Sequence, residues 1–311
     1  MAEGSSDAAT KVKSILVYPI KSCRGISVPQ ATVSSTGFRW DRQWLVVNSK
    51  SRAYTQRVEP KLALVVVELP NEAFNEGWEP TNTSYMVIKA PGMDTLKVPL
   101  TEPPEIIDGV SVWEWSGSAM DEGADAAQWF SNYLQKPSRL VRFNNALEVR
   151  PVDPNYANGY QVMFSDLFPF LLLSQGSLDT FNALLKKPVS VNRFRPNILV
   201  DGCEPFSEDL WTEIKINELT FQGVKLCSRC KVPTIDQETA EACIEVSETL
   251  KKYRSDKVLR PNKKHQQGKV YFGQNMVCTE SIAQGAQGKT IKVGDPVFVL
   301  KTVSSAADAA V

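Results

Sequence analysis

The chain has 311 residues with 35 basic and 35 acidic side chains, enough for one large domain or two ordinary ones, and no net field to attract nucleic acid or an anionic membrane. Its single histidine, His265, lies in the polar stretch 262–268 and reads as a solvated loop residue, which removes histidine-based triads, histidine-rich zinc sites and facial-triad iron. Any anion site must therefore be local.

Residues 1–10 are small, polar and partly acidic, without the basic start and apolar stretch of a secretory signal. The longest apolar run, Phe168 to Leu173, includes Pro169 and is far short of the ~20 residues that span a bilayer. No signal peptide or transmembrane segment is expected. Six cysteines in a chain of this length are not a secreted disulfide framework, and in a reducing compartment they serve as thiols or ligands.

From Val12 to Trp115 short apolar runs alternate with turn residues. Strands are predicted at 15–18, 44–47, 64–67, 85–88 and 110–115. A helix over 121–134 follows, with Ala127, Phe130 and Leu134 on one face and Asp121 and Glu122 suiting its N-terminus. Residues 144–159 hold Pro151, Pro154 and several asparagines and read as a linker or inter-domain loop. Beyond it, Ser177 caps a predicted helix bearing Leu178, Phe181, Leu184 and Leu185, followed by strands near 198–200, 213–216 and 219–226. A short helix at 247–253 and a strand region at 290–300, turning at Gly294-Asp-Pro296, complete the pattern. The fold class is α+β and strand-rich in both halves, without the regular alternation of a doubly wound sheet. The halves are set at 11–143 and 160–302, with residues 303–311 as a frayed tail.

Cys227-Ser-Arg-Cys230 ends a predicted strand and carries its own cation, Arg229, which favours the thiolate that ligates metals or attacks substrates. Three readings compete. A thioredoxin-like pair needs a following helix, which Pro233 and its polar surroundings do not favour. A zinc site would have to recruit Cys243 and Cys278, with no second close pair to match. Two buried, inert thiols are the commonest use of free cysteine and the preferred reading from spacing alone.

Tyr18-Pro-Ile-Lys21-Ser22-Cys23-Arg24-Gly25 leaves a strand with two cations, a hydroxyl and a glycine, a composition that suits a phosphate and equally an ordinary solvated turn. Arg42, in Asp41-Arg-Gln-Trp44, either pairs with Asp41 or points to a ligand. Arg193-Phe-Arg195-Pro-Asn197 places two guanidiniums and an amide before a buried strand, fitting a phosphate, a flat heteroaromatic ring or a structural salt bridge. Gly288-Lys-Thr290 imitates the end of a P-loop, but Ala283 stands where its first glycine belongs and a strand follows, so nucleotide binding there is rejected.

Together with Arg57-Val-Glu-Pro60, Ser165-Asp166, Arg195-Pro-Asn-Ile198 and Ile291-Lys-Val-Gly-Asp-Pro-Val297, these segments resemble, in order along nearly the whole chain, the MOSC superfamily and within it the amidoxime-reducing component proteins. The resemblance implies an N-terminal β-barrel-like domain, a β-barrel-type MOSC domain with peripheral helices, and a molybdenum cofactor (Mo-molybdopterin) between them. Lys21, Ser22 and Arg42 would contact the cofactor from the first domain. Asp166, Arg195, Asn197, Ser228 and Arg229 would do so from the second, and Cys230 would ligate molybdenum, leaving Cys227 as structural support. The implied activity is two-electron reduction of N-hydroxylated compounds such as amidoximes, hydroxylamines and N-hydroxylated bases, with electrons from cytochrome b5 and NADH-cytochrome b5 reductase, and with nitrite reduction to nitric oxide as a side activity. A cofactor carrier or sulfur-transfer protein bearing a persulfide on Cys230 is the alternative. This chain departs from the animal pattern at Leu167 and Phe168, where hydroxyl residues are expected, so contacts there would run through backbone. It also starts without the membrane anchor of animal members, like a plant-type protein, and the expected location is cytoplasmic or mitochondria-associated.

Overall fold

The computed structural model describes residues 10–103, 105–262, 268–282 and 288–309. His265 and Ala283 lie outside them. Among the described residues eighteen strands form four sheets, with four α-helices at their margins, an α+β arrangement as expected. Among the described residues no helix is long and apolar enough to cross a membrane.

The largest sheet runs, in spatial order, Val297–Thr302, Trp211–Ile216, Leu219–Ser228, Tyr271–Cys278, Phe170–Ser174, Ile198–Asp201, Lys11–Val17 and Ile26–Val28. Of the seven neighbouring pairs in this eight-stranded sheet six are antiparallel; the exception is Phe170–Ser174 with Ile198–Asp201, which lie parallel and are joined by a crossover that contains the helix Gln175–Asn182. That helix is capped by Ser174, whose hydroxyl accepts from the Ser177 amide at 3.1 Å, so the cap falls three residues before the predicted one. The central strand Tyr271–Cys278 is buried at every position, as expected for a strand covered on both faces. Gly223 permits a close backbone approach in this sheet, because a Cβ there would sit 2.0 Å from the Trp211 carbonyl oxygen.

The halves of the chain exchange strands. Lys11–Val17, from the first half, pairs with Ile198–Asp201 from the second, and Thr290–Lys292 pairs with Gln30–Ser34. One core therefore runs through both halves, holding Ile15, Trp44 and Phe130 with Ile198, Phe221 and Met276. Local periodicity reports that a segment is a strand but not which distant segment it pairs with.

A four-stranded sheet, Trp44–Asn48, Ser138–Phe143, Trp115–Asp121 and Ile106–Val112, carries the helix Ala124–Leu134. Its apolar face buries Trp129, Phe130, Tyr133 and Leu134. The carboxylates assigned to its N-terminus serve the sheet instead. Asp121 ends a strand and pairs with Arg139, while Glu122 takes bonds from Arg142 Nε at 2.7 Å and Trp44 Nε1 at 2.6 Å. Two other expectations shift. Leu64 closes a 3-10 turn, Pro60–Leu64, rather than opening a strand, and the predicted strand 110–115 is a hairpin that turns at Trp113 and Glu114.

The segment 144–159, expected as a linker, is packed. Arg150, buried within it, donates to the carbonyls of Met163 (2.9 Å), Ser165 and Asp166 (2.9 Å). Val152 and Ala157 close a small core with Phe168 and Val277. The tail also touches the body, since Ala309 is buried against Leu226 and Tyr271.

Candidate functional site

After Val17 the first strand leaves the sheet and its continuation is stitched to a second loop. The amides of Lys21, Arg42 and Trp44 bond to the carbonyls of Trp44 (2.8 Å), Tyr18 (2.7 Å) and Pro19 (3.0 Å). From the other half, Asn197 joins the same corner: its amide donates to the Leu171 carbonyl at 2.8 Å, and its carbonyl accepts from the Leu16 amide at 2.9 Å. Its side chain, 2% exposed, accepts from Arg42 Nη1 at 3.0 Å and donates to the Leu16 carbonyl at 3.2 Å. Ser22, Arg42 and Arg195 all adopt left-handed backbone, with φ of 69°, 48° and 56°. Such strain in non-glycine residues is held only where surrounding bonds over-determine it, commonly at ligand sites.

These loops enclose a cavity of about 440 Å3. Lys21, Ser22, Arg42, Asp166, Arg195, Asn197, Ser228, Arg229 and Cys230 all line it, so the residues that the resemblance named as cofactor contacts meet around one space. Lining residues from the first half face those from the second.

The two guanidiniums of Arg193-Phe-Arg195 divide the readings between them. Arg193 makes the salt bridge, to Asp236 at 2.6 Å, away from the cavity. Arg195 lines the cavity and stacks on Tyr18, its guanidinium carbon 4.3 Å from the ring centroid. Arg42 lies 4.2 Å from the same ring and is fixed by Asp41 at 2.6 Å and the Arg195 carbonyl at 3.2 Å. Asp41 also accepts from the Tyr18 amide at 2.8 Å. Gly25 lets the ring sit where it does, since a Cβ there would be 2.5 Å from it. Burial pushes the Tyr18 hydroxyl up to about 12 against the pull of both arginines, so it stays neutral.

Lys21, 5% exposed, donates to the Phe164 carbonyl at 2.8 Å and to Asp166. Burial lowers its pKa, and Asp166 opposes that shift. Asp166 borders the hollow of the cavity; enclosure raises its pKa, but Lys21 first, then Arg57 and the Trp113 indole, hold the carboxyl well below the usual carboxylate range. Its carboxylate is thus committed to neighbouring cations and organises Lys21.

The cysteine pair separates into two settings. Cys227 accepts from Arg229 Nη1 at 3.0 Å, while Arg229 Nη2 anchors on the Phe194 carbonyl at 2.7 Å. The cation expected to serve the pair therefore rests on Cys227. Cys230 is exposed on the cavity wall, its sulfur accepting the Val232 amide at 3.4 Å. Neither thiol is buried core, which removes the bland reading. Cys278 is buried and bonds to Glu280, and among the described residues no cluster of three or more His, Cys, Asp or Glu gathers for a metal, against the zinc module.

The donor set fits an anionic pterin phosphate. Among the described residues seven cations line the cavity (Lys21, Arg42, Arg57, Arg195, Lys225, Arg229 and Lys269) against one carboxylate, Asp166. Buried Arg195 Nη2, Arg229 Nε, Arg57 Nε and Tyr18 Oη have no hydrogen-bond partner among the described residues. Buried donors of this kind call for a ligand or solvent. Local charge thus compensates for a neutral chain.

Three residues escape a reading of the sequence. Tyr18 stood inside a noted motif but looked like a strand end. Arg57 stood in the quoted segment Arg57-Val-Glu-Pro60 but was given no role. Trp113 was hidden because Trp-Glu lacks the glycine, asparagine or proline that marks a tight hairpin turn. Its signal is that it is 53% exposed, an unusual surface tryptophan lining a cavity.

Residues 9–137 match the MOSC N-terminal beta barrel domain and residues 159–298 the MOSC domain. Among similar proteins, mitochondrial amidoxime-reducing component 1 of Mus musculus is 34% identical over 302 residues, covering 93% of this chain and 82% of that protein. The Homo sapiens protein of the same name is 33% identical over 93% of this chain and 82% of its own length. Mitochondrial amidoxime reducing component 2 of Rattus norvegicus is 32% identical over 92% of this chain and 82% of its own length. With both domains in order and these relatives matched over most of its length, the chain belongs to the MOSC family, among the proteins named amidoxime-reducing components.

Proposed function

We propose that this protein is a molybdenum-cofactor-dependent reductase of N-hydroxylated compounds, with the Cys230 thiolate as the protein ligand to the metal. The supporting observation is a cavity lined from both halves, rich in cations and bearing the exposed Cys230 on its wall. When bound, the cofactor provides two-electron exchange and oxygen removal from an N–OH group. In the net reaction the N–O bond breaks, two electrons and two protons enter, and the amine or amidine leaves with water.

The chain's own residues hold and orient. Arg42 and Arg195, stacked on Tyr18, present guanidiniums suited to phosphate or a flat pterin edge. Lys21 adds a buried point charge, and Ser22, Asn197, Ser228 and Arg229 add polar groups on the same wall. Asp166 stays ionised, so it acts as an electrostatic anchor for Lys21 rather than as a proton donor. A soft thiolate at Cys230 suits a metal already held by sulfur. Cytochrome b5 and its NADH-dependent reductase are the proposed electron donors, with nitrite as a side substrate.

The test is purified wild-type protein: one molybdenum per chain and benzamidoxime reduction driven by NADH, cytochrome b5 and its reductase. The second reading is a carrier or sulfur-transfer protein bearing a persulfide on Cys230, and it would use the same exposed thiol on the cavity wall. Labile sulfur without molybdenum, and no turnover, would favour that second reading.

A further inference from the structure

We infer that Trp113 forms an aromatic wall beside this cavity that selects planar conjugated substrates over compact ones; this rests on the reductase reading above. Trp113 comes from the first half, at the tip of the hairpin between Ile106–Val112 and Trp115–Asp121, yet its indole Nε1 donates across to Asp166 of the second half at 3.2 Å. Its backbone is left-handed, with φ 56°, a conformation an aromatic residue takes only under constraint. The ring is held on one face by the Arg57 guanidinium, 4.2 Å from the centroid, and at its edge by Asp166.

So anchored, the ring is nevertheless 53% exposed and lines the cavity. Fixing a large apolar surface without burying it gains little for folding, and such surfaces mark binding sites. Arg57 occupies one face, which leaves the other as a stacking surface. Leu167, also 53% exposed and also a lining residue, adds apolar surface from the second half, at a position where a hydroxyl was expected. A flat, conjugated N-hydroxylated compound can stack there while its N–OH reaches inward. Hydroxylamine is too small to use the wall.

The holoenzyme carrying Trp113→Ala is compared with wild type on benzamidoxime and hydroxylamine, with molybdenum content measured on the same samples. Loss of an offset-stacked contact corresponds to about tenfold in affinity. The ratio of kcat/KM for benzamidoxime to that for hydroxylamine should fall about tenfold, mainly through KM, with molybdenum content unchanged. Trp113→Gln, which can still donate to Asp166 but has no aromatic face, should behave alike and covers a failure of Trp113→Ala to fold. An unchanged ratio in folded, molybdenum-loaded variants overturns the inference. So does loss of molybdenum, which would assign the ring to the cofactor. Wild-type protein that holds molybdenum yet reduces neither compound overturns the underlying reductase reading, a result distinct from both.

Discussion

Replacing Tyr18 by leucine removes the platform shared by Arg42 and Arg195. The ring is 1% exposed and the two guanidiniums stand 4.2 and 4.3 Å from its centroid. Each partly desolvated cation–π contact contributes about 1 kcal/mol, so about 2 kcal/mol of guanidinium positioning is lost. The smaller side chain leaves a void costing roughly another 2–3 kcal/mol, since the Gly25 backbone packs directly on the ring. A total of about 4–5 kcal/mol lowers the melting temperature of a chain this size by roughly 10 °C. The positioning part alone weakens cofactor retention by about thirtyfold. Tyr18→Phe keeps the ring and both contacts. It gives up only a hydroxyl without a protein partner, so stability should change by less than about 1 kcal/mol and molybdenum content should hold. Thermal melts and metal analysis on both variants decide the matter. A Tyr18→Leu protein that melts within about 2 °C of wild type and keeps its molybdenum would refute the platform role.

Arg193 and Arg195 should respond oppositely. Arg193→Met removes the ion pair to Asp236 and the bond to the Thr234 carbonyl, and should destabilise by about 1–3 kcal/mol in chemical denaturation while leaving molybdenum content near wild type. Arg195→Met should deplete molybdenum with a smaller effect on stability; the reverse pattern would mean the two roles are misassigned. The Lys21–Asp166 pair gives a pH test. A carboxyl held below its usual value adds stability that is present above the unfolded pKa of about 3.9 and is lost as pH falls through the still lower folded value. The melting difference between wild type and Asp166→Asn should therefore be flat from about pH 5 to 8 and shrink only below about pH 4. A difference that fades between pH 5 and 7 would contradict the assignment.

Elements whose character is local were legible in the sequence. Runs such as Trp44–Asn48 and Ile198–Asp201 declare buried strands by composition, whereas Tyr271–Cys278, interrupted by Gly273-Gln-Asn275, was not predicted; the motifs holding Lys21, Arg42, Arg195 and Cys230 mark out residues that meet around one cavity. What escaped depends on distant partners. The pairing of Lys11–Val17 with Ile198–Asp201 has no local signal. Asp121 and Glu122 looked like helix N-terminal charges because their partners, Arg139 and Arg142, arrive only with the following strand. Arg193 and Arg195, two residues apart, face different environments because Arg195 takes a left-handed backbone that no sequence pattern announces. Trp113 was missed for the same reason, with φ 56° at a turn without turn residues.

The most direct test of the metal-ligand assignment compares Cys227→Ala with Cys230→Ala for molybdenum content and amidoxime reduction, with solubility and melting temperature measured alongside. Cys230 is exposed on the cavity wall, so its truncation should leave the fold intact. Cys230→Ala should be folded and inactive, with molybdenum lost or loosely held, while Cys227→Ala keeps measurable activity. A folded Cys230→Ala protein that is fully loaded and active, beside a dead Cys227→Ala, would contradict the assignment and move the ligand to Cys227.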